Sequence, residues 1–266
     1  MEENILEIVE KSCRIHRSVI AVKYLSHREI VEKSYGDLWD DIRKTAVILR
    51  NNGLCGTHIA LVGSSSYEWI CAYMAILFTG NTAVPLDANL SAPELHELLN
   101  RSGSTALFCG ASKKDVITEL TDDCPEMNIV FTMEKKVDIE HLEGADSNPR
   151  LAILSFEQLR SEITIPDDFA FAEQDKDKMC TLMYTSGTTG KPKGILTTNY
   201  NIVYLLNSTR DKLVQNENDV WTLFHTYTFD FSTWEIYASL LYGGKLVIVP
   251  KEVTVNPRKF LHLLVD

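Results

Sequence analysis

The sequence predicts an α/β protein built from layered, parallel-rich sheets flanked by helices. Short apolar runs of strand length at 59–62, 82–86 and 105–109 alternate with longer stretches of helical period. Strands separated by helices cannot pair as tight hairpins, so they pair in parallel, and parallel sheets bury both faces. With 266 residues, 45% of them hydrophobic, the chain can fill the core of one large domain or two ordinary ones.

Residues 36–52 place Leu38, Ile42, Ala46 and Leu49 on one helical face, and Asn52-Gly53 stops that helix. Ile59-Ala60-Leu61-Val62 reads as a buried strand ending at Gly63. Ser64-Ser65-Ser66 offers an N-cap for a helix through Trp69, Tyr73 and Leu77 to Gly80. Strand 82–86, helix 91–101 and strand 105–109 repeat the cycle. Residues 134–150, rich in Glu, Lys, Asp, Gly, Asn and Pro, read as a solvated connection, and 166–178 as an acidic approach to a strand. That strand is expected at 179–185 and another at 194–198, with Asn199 capping a helix through Val203 and Leu206. A strand at 220–224 leads to a helix ending near Gly243-Gly244, and a last helix covers 257–265. The expected division is a first α/β subdomain at 1–178 and the start of a second at 179–266.

Composition excludes several classes of function. With 37 acidic against 26 basic residues, the chain has no broad positive field for a nucleic-acid backbone. The six cysteines form no Cys-x-x-Cys pair, so neither a zinc site nor a disulfide framework is implied; small buried apolar residues in a reducing cytoplasm are expected. The acidic start Met1-Glu2-Glu3-Asn4 is unlike a secretory signal. The longest apolar run, 69–78, falls short of the roughly 20 residues a membrane span needs, so a soluble cytoplasmic protein is expected.

Between the strands at 179–185 and 194–198 lies Tyr184-Thr185-Ser186-Gly187-Thr188-Thr189-Gly190-Lys191-Pro192-Lys193-Gly194. Hydroxyls and backbone N–H groups donate, glycines let the backbone approach closely, and lysines add positive charge, a combination suited to a polyphosphate. It is not a Walker A loop, because only two residues separate Gly187 from Gly190 and Pro192 follows Lys191. Gly187 and Gly190 are placed to take positive φ in the turn. Lys193 is the stronger candidate for direct phosphate contact, while Lys191 is either a second contact or a solvated loop charge. The string resembles the signature of the adenylate-forming enzymes: acyl-CoA synthetases, luciferases and the adenylation domains of nonribosomal peptide synthetases. That resemblance implies that Thr185, Ser186, Gly187, Thr188, Thr189, Gly190 and Lys193 contact ATP. Thr185, Thr188 and Lys193 would act on the transition state as pyrophosphate leaves.

A second constellation runs Phe224-His225-Thr226-Tyr227-Thr228-Phe229-Asp230-Phe231-Ser232-Thr233-Trp234-Glu235. Asp230 sits between two phenylalanines, with Trp234 one helical turn on. A carboxylate among aromatics is costly unless a cation neutralises it, which points to an ammonium group; the alternative is a helix N-cap with core aromatics. The segment, with Leu240-Leu241-Tyr242-Gly243-Gly244-Lys245-Leu246-Val247-Ile248-Val249-Pro250 after it, resembles amino-acid-activating members of the same family. By that resemblance Asp230 anchors the α-ammonium and Phe231 and Trp234 line the side-chain pocket. His225 would then stand beside the nucleotide and the substrate carboxylate. The order Asp-Phe-Trp resembles the opening of the pattern in threonine-activating domains.

Residues 36–53 and 77–87 resemble earlier family motifs, but Ala88-Asn89-Leu90-Ser91-Ala92 lacks the tyrosine-proline pair common in peptide-synthetase domains and is more similar to stand-alone acid ligases. The resemblance implies the N-terminal part of the adenylate-forming enzyme fold. Family members continue for about as long again past Asp266. The adenine- and Mg2+-binding motif, the ribose-binding aspartate and the C-terminal catalytic lysine are expected beyond this chain. Three functions stand open: an amino-acid adenylation domain serving a phosphopantetheine carrier protein, an acyl-CoA or acyl-AMP ligase for a non-amino acid, and an inert truncated domain.

Overall fold

The structure, a computed structural model, describes residues 4–110, 113–117, 120–133, 151–185, 192–213 and 215–265. A capping box starts the first helix: the Glu7 N–H donates to the Asn4 side chain at 2.9 Å and the Asn4 N–H donates to Glu7 at 3.0 Å. This helix, α1 (Ile5–Ile15), leads into β1 (Ile20–Ser26), β2 (Glu29–Ser34) and α2 (Tyr35–Asn51). The alternating section comprises β3 (His58–Val62), α3 (Tyr67–Phe78), β4 (Thr82–Leu86), α4 (Ala92–Ser102) and β5 (Ser104–Cys109). Next come the short helices α5 (Lys114–Ile117) and α6 (Leu120–Asp123), then β6 (Ile129–Thr132), β7 (Ala152–Ser155) and α7 (Phe156–Glu162). The chain continues through β8 (Met179–Thr185), β9 (Lys193–Thr198), α8 (Asn199–Leu213), β10 (Val220–Leu223) and α9 (Asp230–Leu240). It closes with β11 (Lys245–Ile248), α10 (Lys251–Thr254) and α11 (Pro257–Val265).

The chain forms two compact units. One comprises Met1–Asp40, Ser64–Tyr67 and Asn201–Asp266. Its four-stranded sheet has the order β10-β11-β1-β2, in which β2 alone runs antiparallel to its neighbour. β1 finds β11 through the register Val22↔Leu246, and Ala21, Val22 and Leu246 are fully buried. Two long-range bonds fasten the elements around this sheet, one between α1 and α9 and one from α2 to the residue before β11. The Ser12 hydroxyl donates to the Leu240 carbonyl at 2.7 Å, and the Tyr35 hydroxyl donates to the Gly244 carbonyl at 2.7 Å. Burial pushes the Tyr35 phenol well above its ordinary range.

The other unit comprises Asp41–Gly63 and Glu68–Tyr200. Its seven-stranded sheet has the order β7-β6-β5-β3-β4-β8-β9, parallel throughout except for β9 at the edge. Central β3 is buried on both faces, as its unbroken apolar run requires. On one face Val62, Val84, Leu107 and Val130 pack with Leu95 and Leu99 of α4. α3 is buried all round, with every residue from Trp69 to Phe78 at most 3% exposed, so its sequence carries no amphipathic period. Among the described residues no helix is long and apolar enough to cross a membrane.

These units do not divide at 178/179. β8 and β9, expected to open a second subdomain, extend the seven-stranded sheet because β8 pairs in parallel with β4 (Ala83↔Thr181). The difference is physical: a strand joins the sheet whose edge it can extend, and that edge belongs to a segment far upstream. The expected connection at 134–150 lies outside the described residues.

Candidate active site

The sheet order reverses between β3 and β4: β4 lies on one side of β3, and the next strand, β5, pairs on the other. Open α/β sheets hold ligands outside the carboxyl ends of their strands at such a switch point. β8 is the strand beside β4, and its carboxyl end delivers Thr185 into the glycine-rich loop. In the β8–β9 hairpin Thr185 lies directly opposite Lys193, and Tyr184 opposite Gly194. Opposed residues share a face with Cβ atoms roughly 5 Å apart, so the two side chains leave the hairpin base on the same face, and both residues are exposed.

Gly194 admits a close approach there. A Cβ at this position would lie 2.9 Å from Leu182 Cδ1 and 3.6 Å from the Tyr184 ring. The Tyr184 ring lies 5.9 Å from the Arg101 guanidinium carbon; burial raises the phenol's pKa and this cation opposes the rise. Ser186, Gly187, Thr188, Thr189, Gly190 and Lys191 lie outside the described residues.

The second group of candidate residues is built on β10 and α9. Asp230 is the first residue of α9, so its carboxylate adds favourable charge in the first turn. The helix cap is Phe229 rather than Asp230, and Phe229 offers no side-chain bond. Asp230 Oδ1 accepts only the adjacent Phe231 N–H, at 2.9 Å, and among the described residues it has no ion pair. It is exposed, and so are Phe229 and Phe231, at 50% and 54%. Half-open phenylalanines beside a carboxylate are not a closed core.

The aromatics are nonetheless ordered among themselves. The His225 ring stacks on Phe229 at 5.3 Å and 20° and lies 5.5 Å from Phe231. Phe231 meets Trp234 edge-on at 6.3 Å. Trp234 in turn packs edge-on against Trp221 at 4.6 Å, and its Nε1–H donates to Thr209 Oγ1 at 3.4 Å. His225, Phe231 and Trp234 therefore form one aromatic shelf beside Asp230.

Beneath the shelf lies Glu235, a residue without a role assigned from sequence. It is 7% exposed. Its Oε2 accepts the N–H groups of Phe224 and His225 at 3.2 Å each, and Oε1 lies 2.8 Å from His225 Nδ1. The signal was present in Trp234-Glu235-Ile236-Tyr237-Ala238, where a carboxylate in a buried helical run demands internal partners. Tyr227 is a second such residue: its hydroxyl accepts the Ser66 N–H at 2.6 Å and donates to the Ser66 carbonyl at 3.1 Å.

An exposed hydroxyl residue and an exposed lysine on one face of the hairpin base suit an anionic phosphate group. Among the described residues no group of three or more His, Cys, Asp or Glu could hold a metal ion.

The AMP-binding enzyme family matches this chain over residues 9–266. A plipastatin synthase of Bacillus subtilis (strain 168) is 30% identical over 263 residues, covering 98% of this chain but 9% of that protein. Two solved structures share the fold. The Vibrio cholerae adenylation domain AlmE, in complex with glycyl-adenosine-5'-phosphate, superposes with a TM-score of 0.78 at 20% identity, covering 97% of this chain and 47% of its own. The A-PCP didomain of carboxylic acid reductase from Segniliparus rugosus, in complex with AMP, gives 0.80 at 15% identity, covering 97% and 40%. The chain thus spans about a tenth of the length of the first curated relative and under half of these solved chains. A match over nearly the whole length, on an α/β scaffold that carries the hairpin and the aromatic shelf, makes this chain a member of the AMP-binding enzyme family.

Proposed function

We propose that this chain supplies the N-terminal part of an enzyme that activates an amino acid with ATP. The amino acid's carboxylate attacks the α-phosphorus, forming an aminoacyl-AMP and releasing pyrophosphate. The aminoacyl group then passes to a thiol, that of a phosphopantetheine carrier protein, with AMP as leaving group. The observation that carries this reading is Asp230: an exposed carboxylate without an ion-pair partner among the described residues, set beside the His225–Phe231–Trp234 shelf. Such a site matches an ammonium on one side and an apolar side chain on the other. Kinship with a plipastatin synthase and fold likeness to an adenylation domain holding glycyl-AMP support it.

Two groups of residues divide the work. Lys193 and the Thr185 hydroxyl, with Ser186, Gly187, Thr188, Thr189 and Gly190, oppose the growing charge on the departing phosphates. Such donors act without reorganising at the moment of reaction. Asp230 holds the ammonium, Phe231 and Trp234 meet the side chain, and His225 stands at the carboxylate. Threonine is the amino acid that the Asp-Phe-Trp order favours, with Mg2+ supplied by residues downstream. Amino-acid-dependent exchange of radiolabelled pyrophosphate into ATP tests the reading. It is measured on this chain and on the chain joined to its natural downstream sequence. Exchange with amino acids and none with fatty or aryl acids is expected. Exchange only with acids lacking an amino group would replace it by the acid-ligase reading that Ala88-Asn89-Leu90-Ser91-Ala92 favours.

A further inference from the structure

His225 and Glu235 are joined in a way that determines more than position. Just past the carboxyl end of β10 the chain leaves its sheet, and the Phe224 and His225 N–H groups lose any strand partner. Glu235, one and a half turns into α9, takes both on Oε2 and meets His225 Nδ1 with Oε1. Its side chain is 9% exposed while that of His225 is 37% exposed, so the pair runs from a buried carboxylate to a half-open imidazole. An ionised carboxylate only accepts, so the ring proton in this contact must sit on Nδ1. Phe229 and Phe231 pack against the ring, with centroids 5.3 and 5.5 Å from its own. Among the described residues Nε2 has no hydrogen-bond partner.

We infer that Glu235 is the positioning residue of the site, fixing the proton of His225 on Nδ1 and presenting Nε2 to the substrate carboxylate. This rests on the adenylation reading for its second half only; the proton's place is set by the chain itself. A glutamate that merely tied down the 224–225 backbone would do so equally well as glutamine, because the amide oxygen accepts the same two N–H groups. Glutamine would, however, turn its NH2 toward Nδ1 and donate, driving the ring proton to Nε2.

The test is Glu235→Gln, with Glu235→Asp as the conservative rescue. The imidazole 15N signals of His225, assigned by their loss in His225→Asn, are recorded on the 266-residue chain. The expected parent signature is a protonated Nδ1, and Glu235→Gln should move the unprotonated, pyridine-type signal to Nδ1 with thermal stability kept. In the chain joined to its downstream sequence, Glu235→Gln should lower kcat/KM for the amino acid at least about tenfold. The KM for ATP should change less than twofold, and Glu235→Asp should recover part of the loss. An unprotonated Nδ1 in the parent, or no change of ring signals in Glu235→Gln, overturns the inference whatever the exchange assay gives. A shifted proton with unaltered exchange overturns the substrate-facing role of His225. If the parent exchanges with no amino acid, the adenylation reading fails, while the ring signals still decide where Glu235 holds the proton.

Discussion

At the scale of single residues, function rests on groups whose environment leaves them unspent. Asp230 is acidic, exposed and at a helix N-terminus, where negative charge is favoured. A bound ammonium would gain a charge-assisted bond whose loss leaves that cation unpaired on an apolar shelf. Asp230→Ala is therefore expected to raise the KM for the amino acid at least about tenfold while the KM for ATP stays within twofold, since charged hydrogen bonds contribute roughly 1.5–3 kcal/mol. Equal changes in both constants would remove Asp230 from the ammonium site. Lys193 is the matching proposal for the nucleotide. Lys193→Ala should cut pyrophosphate exchange on the order of 10²-fold, as loss of one preorganised charge-stabilising donor does, and exchange within twofold of the parent would reject the role. The candidates themselves were legible in the sequence, because Asp230, Phe231 and Trp234 are spaced for one helical face and a glycine-rich string lies between two strands. Glu235 and Tyr227 were not legible in role. Glu235 satisfies backbone groups outside its own helix and Tyr227, in a turn, those of the distant Ser66, and no sequence period announces that.

Elements were legible where their pattern is local. β4, β8 and α11 run over the residues read for them; β3 and β5 begin one residue earlier, and α2 and α4 are shifted by one residue at each end, where caps and fraying set the limit. β1, β2 and β11 did not announce their sheet: β1 and β11 make a parallel pair across most of the chain, and β2 has no buried residue to give an alternating face. Gly243 shows how such a long-range sheet constrains a turn. Its φ is +84°, and an added Cβ would lie 2.5 Å from His16 Nε2, at the end of α1. Gly243→Ala should thus cost on the order of 2 kcal/mol through left-handed strain and that clash, read as a fall in the urea midpoint. The opposite sign is expected in the β1–β2 turn, where His27 and Arg28 both take positive φ, at 48° and 70°. Two-residue hairpins of this kind favour Asn-Gly. Arg28→Gly removes a Cβ penalty of about 1 kcal/mol, partly offset by the freedom glycine gains when unfolded, so a small rise in stability should appear in the same assay. A fall of more than about 1 kcal/mol would mean that Arg28 makes a stabilising contact larger than its strain.

At the scale of the whole chain the cysteines determine how stability responds to alkali. Burial pushes the Cys13 thiol up to about 12, with Glu10 and Asp40 adding to it, and the Cys180 thiol up to about 12. In both cases the folded value lies above the ordinary 9.0. Below about pH 9 folded and unfolded chains both keep these protons, and the stabilisation from burying neutral thiols is fully present. Above it the unfolded chain releases them while the folded chain holds them, so stability falls with pH until about 12. Each thiol can steepen that fall by up to about 1.4 kcal/mol per pH unit. One of these thiols lies in each compact unit, and Cys55 alone among the cysteines is exposed. A thiol reagent at about pH 8 should accordingly label one site in the folded chain and six once it is unfolded. Urea midpoints taken at intervals from about pH 8 to about pH 11 should be level at first and then drop. In Cys13→Ala/Cys180→Ala the general repulsion of an acidic chain, −11 at neutral pH, still operates but the thiol contribution is gone. A double variant whose midpoints fall as steeply as the parent's would assign the whole alkaline loss to that repulsion and none to the buried thiols. A shallower fall, with the difference opening only above about pH 9, would place it in the two cores.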